Sequence, residues 1–144
     1  MVKKALFLGL AALVMAVSGF SQYGSMSQRD VKDLVKDTQS MASDFENTLN
    51  KALDKSLIDD TSAEDSYKGR ADDLDNHLDR AASEVDDPED FRKHIEVALA
   101  AGFDIQKLMA QHRFPPEVAS AWAPIRTNLN RLAEVAGMAT LAAL

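Results

Sequence analysis

The chain has 144 residues, no cysteine, and 23 Asp and Glu against 16 Lys and Arg, for a formal net charge of −7. The lack of cysteine excludes a disulfide framework, and the negative charge argues against nucleic acid as a partner. The length suits a single domain with a modest core.

The first segment has the pattern of an export signal. Lys3 and Lys4 precede an apolar run over 5–17, which is followed by small residues. This run is shorter than the roughly 20 apolar residues of a membrane-spanning helix. We therefore expect a cleaved signal peptide over 1–21. The product should begin at Gly19 or Gln22 and be periplasmic or secreted, soluble, and without a stable membrane anchor.

A polar lead over 22–27 comes before four stretches in which apolar residues recur every three or four positions. These stretches predict amphipathic helices over about 28–57, 62–86, 88–112 and 115–137. Ser62 and Asp65 fit a capping box for the second helix. Asp87 and Pro88 fit the N-cap and first residue of the third helix.

Short connections between helices of similar length predict an all-α fold. We expect a single domain over 28–144 that forms an antiparallel up-down-up-down four-helix bundle. One residue from each apolar seam should share the core, and these residues are Phe45, Leu78, Ile105 and Leu129.

Two residues complicate the last helix. Pro124 predicts a kink or restart near 120–124, because proline has no backbone N–H to donate. Gly137 leaves two alternatives open. It caps the helix and leaves an apolar tail over 138–144, or the helix continues through it at a cost of about 1 kcal/mol.

The acidic residues are concentrated in one part of the chain. Residues 59–90 hold thirteen of the 23 acids but three of the 16 Lys and Arg. Asp72, Asp75 and Asp79 of the second helix are therefore candidates for binding a basic partner, an envelope or extracellular protein. The simpler interpretation is a solvated face that keeps the protein soluble.

Two histidines suggest a metal site. A turn near Asp87 would bring His77 within one helical turn of His94, and Asp73 lies four residues before His77. Imidazole and carboxylate groups are common metal ligands, so Asp73, His77 and His94 form a candidate transition-metal site. Surface histidines without a ligand are more common. The acids near Asp59 lack the ligand order of an EF-hand, and helix capping explains them better.

Catalytic and cofactor motifs are missing from the sequence. It has no G-x-S-x-G, no H-E-x-x-H, no phosphate-binding glycine loop and no cysteine nucleophile. We predict no enzymatic activity and no cofactor. The leading hypothesis is a non-enzymatic secreted or periplasmic bundle that acts through protein or surface interactions. The alternative is a small divalent-cation or metal-binding bundle that uses residues 59–90 with His77 and His94.

Two runs of sequence carry a resemblance, FENTLNKALDKSLIDDTSAED over 45–65 and WAPIRTNLNRLAEVAG over 122–137. They resemble segments of small exported bacterial all-helical proteins of unassigned function. In those proteins an F-x-x-x-L-x-x-A-L-D-x-S segment leads through an acidic turn into a second helix. A W-x-x-[IL]-R-x-x-L-x-x-LA segment forms their last helix. The resemblance implies export and a four-helix fold, and it implies no catalytic residue.

Overall fold

The computed structural model describes residues 23–141, and every regular element in this range is an α-helix. The helices are α1 (Gln28–Leu53), α2 (Ser62–Ser83), α3 (Pro88–Gln111) and α4 (Pro116–Val135). Helix α1 packs against α2 and α4, and α3 packs against the same two helices. The predicted all-α four-helix bundle is confirmed. The predicted signal peptide over 1–21 lies outside the described residues.

The helix boundaries differ from the predicted ones where turn chemistry intervenes. Helix α1 ends at Leu53 instead of 57, because Ser56 donates its hydroxyl to the Leu53 carbonyl at 2.8 Å and closes a turn. The cap of α2 is Thr61, not the expected Ser62, and its hydroxyl accepts from the Glu64 N–H at 3.4 Å. Helices α2, α3 and α4 end one to three residues early, at Ser83, Gln111 and Val135. The N-cap of α3 is Asp87, as predicted, since it accepts from the N–H groups of residues 89 and 90.

The four residues expected to share the core do so. Phe45, Leu78, Ile105 and Leu129 are each at most 1% exposed and belong to one cluster of buried apolar side chains. Trp122 joins this cluster, with its ring centre 5.3 Å from that of Phe45. The apolar periodicity therefore identifies the inner face of every helix correctly.

Helix α4 runs without interruption through Pro124, so the expected restart does not occur. The proline ring and Ser120, whose carbonyl would accept from an N–H at position 124, are both exposed. Water can solvate that carbonyl, which lowers the cost of the missing hydrogen bond.

The chain reverses after α4 at Gly137 and packs back on the bundle. Gly137 has φ +69°, and the Met138 N–H donates to the Ala133 carbonyl at 2.7 Å, which is a Schellman cap. The first of the two open alternatives is therefore the one that forms. The Asn130 amide then holds Leu141 at two points, accepting from its N–H at 2.7 Å and donating to its carbonyl at 3.1 Å.

The segment before α1 also contributes to the core, which a polar lead does not suggest. Tyr23 is 4% exposed, and its hydroxyl donates to the Val85 carbonyl at 2.6 Å. Its ring stands edge-on to Phe91, with 5.1 Å between the ring centres. Tyr23 thus closes the end of the bundle where α2 turns into α3.

Candidate functional site

The outer face of α2 carries three exposed carboxylates in one line. Asp65, Asp72 and Asp79 are seven residues apart and all exposed. Two turns of helix separate neighbouring members by about 10.5 Å. No ion pair forms on any of the three within residues 23–141. We call these residues the acidic stripe.

Asp75, which the sequence grouped with Asp72 and Asp79, faces α1 instead. Its carboxylate accepts from Gln39 Nε2 at 2.9 Å and from Ser43 Oγ at 2.6 Å. Asp75 is therefore half-buried, and its hydrogen bonds link α2 to α1.

The acidic charge extends from α2 to the neighbouring edge of α1. Burial raises the pKa of the Glu46 carboxyl, and the negative charges of Asp75 and Asp72 raise this pKa further. Burial is the larger cause of this shift, and the two aspartates add to it because like charges disfavour a further negative charge nearby. Glu46 thus lies close enough to Asp72 for their charges to interact.

Positive charges lie near the Asp79 end of the acidic stripe. Asp79 lines a groove of about 400 Å³ with Lys32 and Lys36 of α1. Two lysines therefore lie near Asp79, although neither forms an ion pair with it within residues 23–141.

The two histidines predicted to lie close together do so. The Nδ1 atoms of His77 and His94 are 3.1 Å apart, and the ring centres are 5.3 Å apart. Burial lowers the pKa of His77, the positive charges of His94 and Arg80 lower it further, and Asp73 opposes this shift. The neutral form of His77 is thus favoured at this contact.

Asp73 is not gathered with the histidines. Its carboxylate accepts from Arg70 Nη1 at 3.1 Å, and Arg70 Nε lies 3.5 Å from Asp104 of α3. Within residues 23–141, the three-residue group whose possible ligand atoms lie within 4.8 Å of one another is Asp54, Asp59 and Glu64. The structure thus brings two of the three predicted metal ligands together.

Glu64 in that acidic group already has partners. It is 5% exposed, lies 2.6 Å from Lys68 Nζ, and accepts from the Asp60 N–H at 2.7 Å. The hydrogen bond from Lys68 and then that from the Asp60 N–H lower the pKa of Glu64. These contacts stabilise the start of α2, in agreement with the capping interpretation.

The interior of the described bundle holds few polar groups, and most of them have structural partners. Thr38 donates to the Leu34 carbonyl at 2.6 Å, and Trp122 Nε1 donates to Gln106 Oε1 at 3.3 Å. The buried Tyr67 hydroxyl and Asn50 Oδ1 find no partner within residues 23–141. None of these groups pairs a nucleophile with a base.

A groove lined by basic residues lies at the C-terminal end of α1, and the sequence did not predict it. It measures about 370 Å³, and its lining includes Lys51, Lys55 and Arg113. These side chains come from the end of α1, the turn after it, and the α3–α4 connection. No local pattern reveals such a grouping, because only the fold brings the segments together.

Comparisons with known proteins give the fold and no family. No protein-family model matches this sequence, and no match is found among functionally curated proteins. The structure is similar to that of a pectin methylesterase inhibitor from Arabidopsis thaliana, with a TM-score of 0.66 and 14% identity over 85% of each chain. Within residues 23–141, no helix has the length and apolar character needed to cross a membrane.

Proposed function

We propose that this protein is a non-enzymatic, exported helical bundle that binds another protein through the acidic stripe of α2. The observation that carries this proposal is the line of three exposed carboxylates that form no ion pair with any residue of 23–141, on a helix whose opposite face is buried. A rigid row of like charges attracts a complementary basic surface and speeds encounter with it. The partner is therefore a periplasmic or extracellular protein with a basic patch.

Two further observations support a binding role. The polar groups inside the described bundle serve packing and capping, as Thr38 and Glu64 illustrate. One structural neighbour is a pectin methylesterase inhibitor, so a bundle of this fold has a precedent for acting on another protein.

Export rests on the leader sequence and has its own test. Intact mass of the protein from the extracytoplasmic fraction should correspond to a chain that starts at Gly19 or Gln22. A full-length product that is extracted only with detergent contradicts this part of the proposal.

The binding role is tested with two matched variants. The stripe variant Asp65→Asn/Asp72→Asn/Asp79→Asn removes three charges from α2. The control Asp33→Asn/Asp37→Asn/Asp44→Asn removes three exposed charges from α1. Each is immobilised and exposed to the extracytoplasmic proteins of the producing cell, and captured proteins are quantified by mass spectrometry. A partner retained by wild type and control should fall about tenfold with the stripe variant.

Association kinetics of the recovered partner then separate steering from other contacts. At low salt, the stripe variant should associate more slowly than the control, and its rate should depend less on ionic strength. Equal rates and equal salt dependence for all three proteins would refute docking on the stripe.

A further inference from the structure

The contact between His77 of α2 and His94 of α3 brings two possible metal ligands together. Their Nδ1 atoms are 3.1 Å apart, which is a hydrogen-bond distance, and the ring planes are inclined by 40°. We propose that these two imidazoles bind a late first-row divalent cation such as Zn²⁺, with both Nδ1 atoms as ligands. This cation site is independent of the acidic stripe and of the partner it binds.

The distance between the nitrogens supports coordination. Zn–N bonds are about 2.0–2.1 Å, so two ligands at a tetrahedral angle lie about 3.3–3.4 Å apart, and two at a right angle about 2.9 Å apart. The observed 3.1 Å falls between these values. A single ion can therefore lie within bonding distance of both nitrogens, provided that the proton between them is released when the ion binds.

The backbone around each histidine is held in place. His77 is followed by Leu78 and His94 by Ile95, and both apolar side chains are fully buried. Helices α2 and α3 are also the neighbouring pair in closest contact. Both rings are half-exposed, so water can reach the pair and fill the remaining coordination positions.

Asp73 does not lie with the histidines in this structure, and it becomes a third ligand in this proposal only if its side chain turns toward them. It lies one turn before His77 on α2 and pairs with Arg70, and both side chains of this pair are nearly half exposed. Exposed ion pairs of this kind contribute about 0–1 kcal/mol, so metal coordination can displace Arg70 from the carboxylate. The competing acidic group near Asp59 is less suited, because Glu64 is already bonded to Lys68 and Asp60.

The test uses the purified exported protein with Zn²⁺ alone and follows thermal unfolding by circular dichroism. Ligand that binds the folded state raises the unfolding midpoint. At Zn²⁺ about a hundredfold above its Kd, the midpoint of wild type should rise by about 5 °C or more, and EDTA should reverse the rise. His77→Gln and His94→Gln should each lose most of this rise, and Asp73→Asn a smaller part.

Two controls locate the site. His112→Gln removes the third histidine and Asp59→Asn disrupts the acidic group, and both variants should keep the full rise. Since each rise is measured against the same variant without metal, altered folding does not obscure the result. In NMR spectra of wild type, Zn²⁺ should shift the imidazole signals of His77 and His94 but not those of His112.

The proposal is overturned if wild type shows no rise, or if His77→Gln and His94→Gln keep it. Loss of the rise in Asp59→Asn would assign the cation to the acidic group instead and would equally overturn it. Partner capture by the His77→Gln variant should remain normal, which separates this proposal from the binding role of the stripe.

Discussion

Helix α3 packs against α2 on one side and against α4 on the other, and the two contacts differ in how closely the helices approach and in what fills the space between them. On one side α3 lies closest to α2, and polar pairs such as His77 with His94 bridge the two helices. On the other side the backbones of α3 and α4 come close at fewer positions than those of any other neighbouring helix pair, and we call this the wider side. There a Cβ at position 102 would lie 3.1 Å from Leu129, 3.3 Å from Leu141 and 3.4 Å from Trp122. The wider side is thus filled by a large ring and by the chain that returns after α4.

This difference teaches that helical periodicity predicts which face of a helix is buried but not how far apart two helices lie. The separation depends on the sizes of the side chains that meet. If the wider side depends on its filling residues, their removal should destabilise the bundle strongly.

The largest effect should come from Trp122, which is 2% exposed. Trp122→Ala should lower the free energy of unfolding by about 3–5 kcal/mol, because a large cavity forms beside Phe45 and Gly102. Urea unfolding monitored by circular dichroism measures this change. Phe103→Ala is the control, since Phe103 is an aromatic residue of α3 that is 59% exposed. Its effect should stay within about 0.5 kcal/mol, and equal losses would show that the cavity is not the cause.

A smaller loss is expected at the returning chain. Leu141 is 9% exposed, and Leu141→Ala should destabilise by about 2 kcal/mol, at the low end for buried leucine. Leu57→Ala is the matched control, because Leu57 is fully exposed in the turn after α1. Chemical denaturation of both variants decides the point. A loss below about 0.5 kcal/mol at Leu141 would mean that the wider side does not need this residue.

The side toward α2 can be probed with two tyrosines. Tyr23→Phe removes the hydrogen bond to the Val85 carbonyl near the α2–α3 turn, and should cost about 1–2 kcal/mol. Tyr67→Phe removes a buried hydroxyl that has no partner within residues 23–141, and should be neutral or stabilising by about 1 kcal/mol. Thermal unfolding of the two variants should therefore shift in different directions or by clearly different amounts. A matching loss in both would contradict these assignments.

The smallest effect compares two helical glycines. Gly69 of α2 has no atom within 4 Å of an added Cβ, so Gly69→Ala should stabilise by about 0.5–1 kcal/mol through helix propensity. Gly102→Ala has the same propensity gain but meets Leu129 and Leu141, which must shift. Its stability should fall short of that of Gly69→Ala by at least about 0.5 kcal/mol. An equal rise in the thermal unfolding midpoint of both variants would show that an added methyl group at position 102 fits between α3 and α4 without displacing its neighbours.

Much of the fold follows from the sequence because local patterns carry it. The seams that contain Phe45, Leu78, Ile105 and Leu129 are short-range periodicities, and Asp87 with Pro88 is a local cap signal. Tyr23 and Leu141 could not be assigned in the same way. Their burial depends on contacts with residues far along the chain, which no local spacing reveals.

The same distinction between local patterns and long-range contacts applies to the candidate sites. Hairpin register brings His77 close to His94, since a short turn fixes which residues face each other. The side chain that pairs with Asp73 depends on which neighbour is nearest in the folded protein. In the structure this neighbour is Arg70 of the same helix, which lies at hydrogen-bond distance. The role of Asp75 likewise depends on Gln39 and Ser43 of another helix.

Pro124 has a consequence for how unfolding is observed. It removes one backbone hydrogen bond from α4, but the helix continues through it. The chain has a single tryptophan, Trp122, which lies two residues before Pro124 and is 2% exposed in the core. Its fluorescence therefore reports the loss of core packing, and it should change in the same transition as the circular dichroism of the helices.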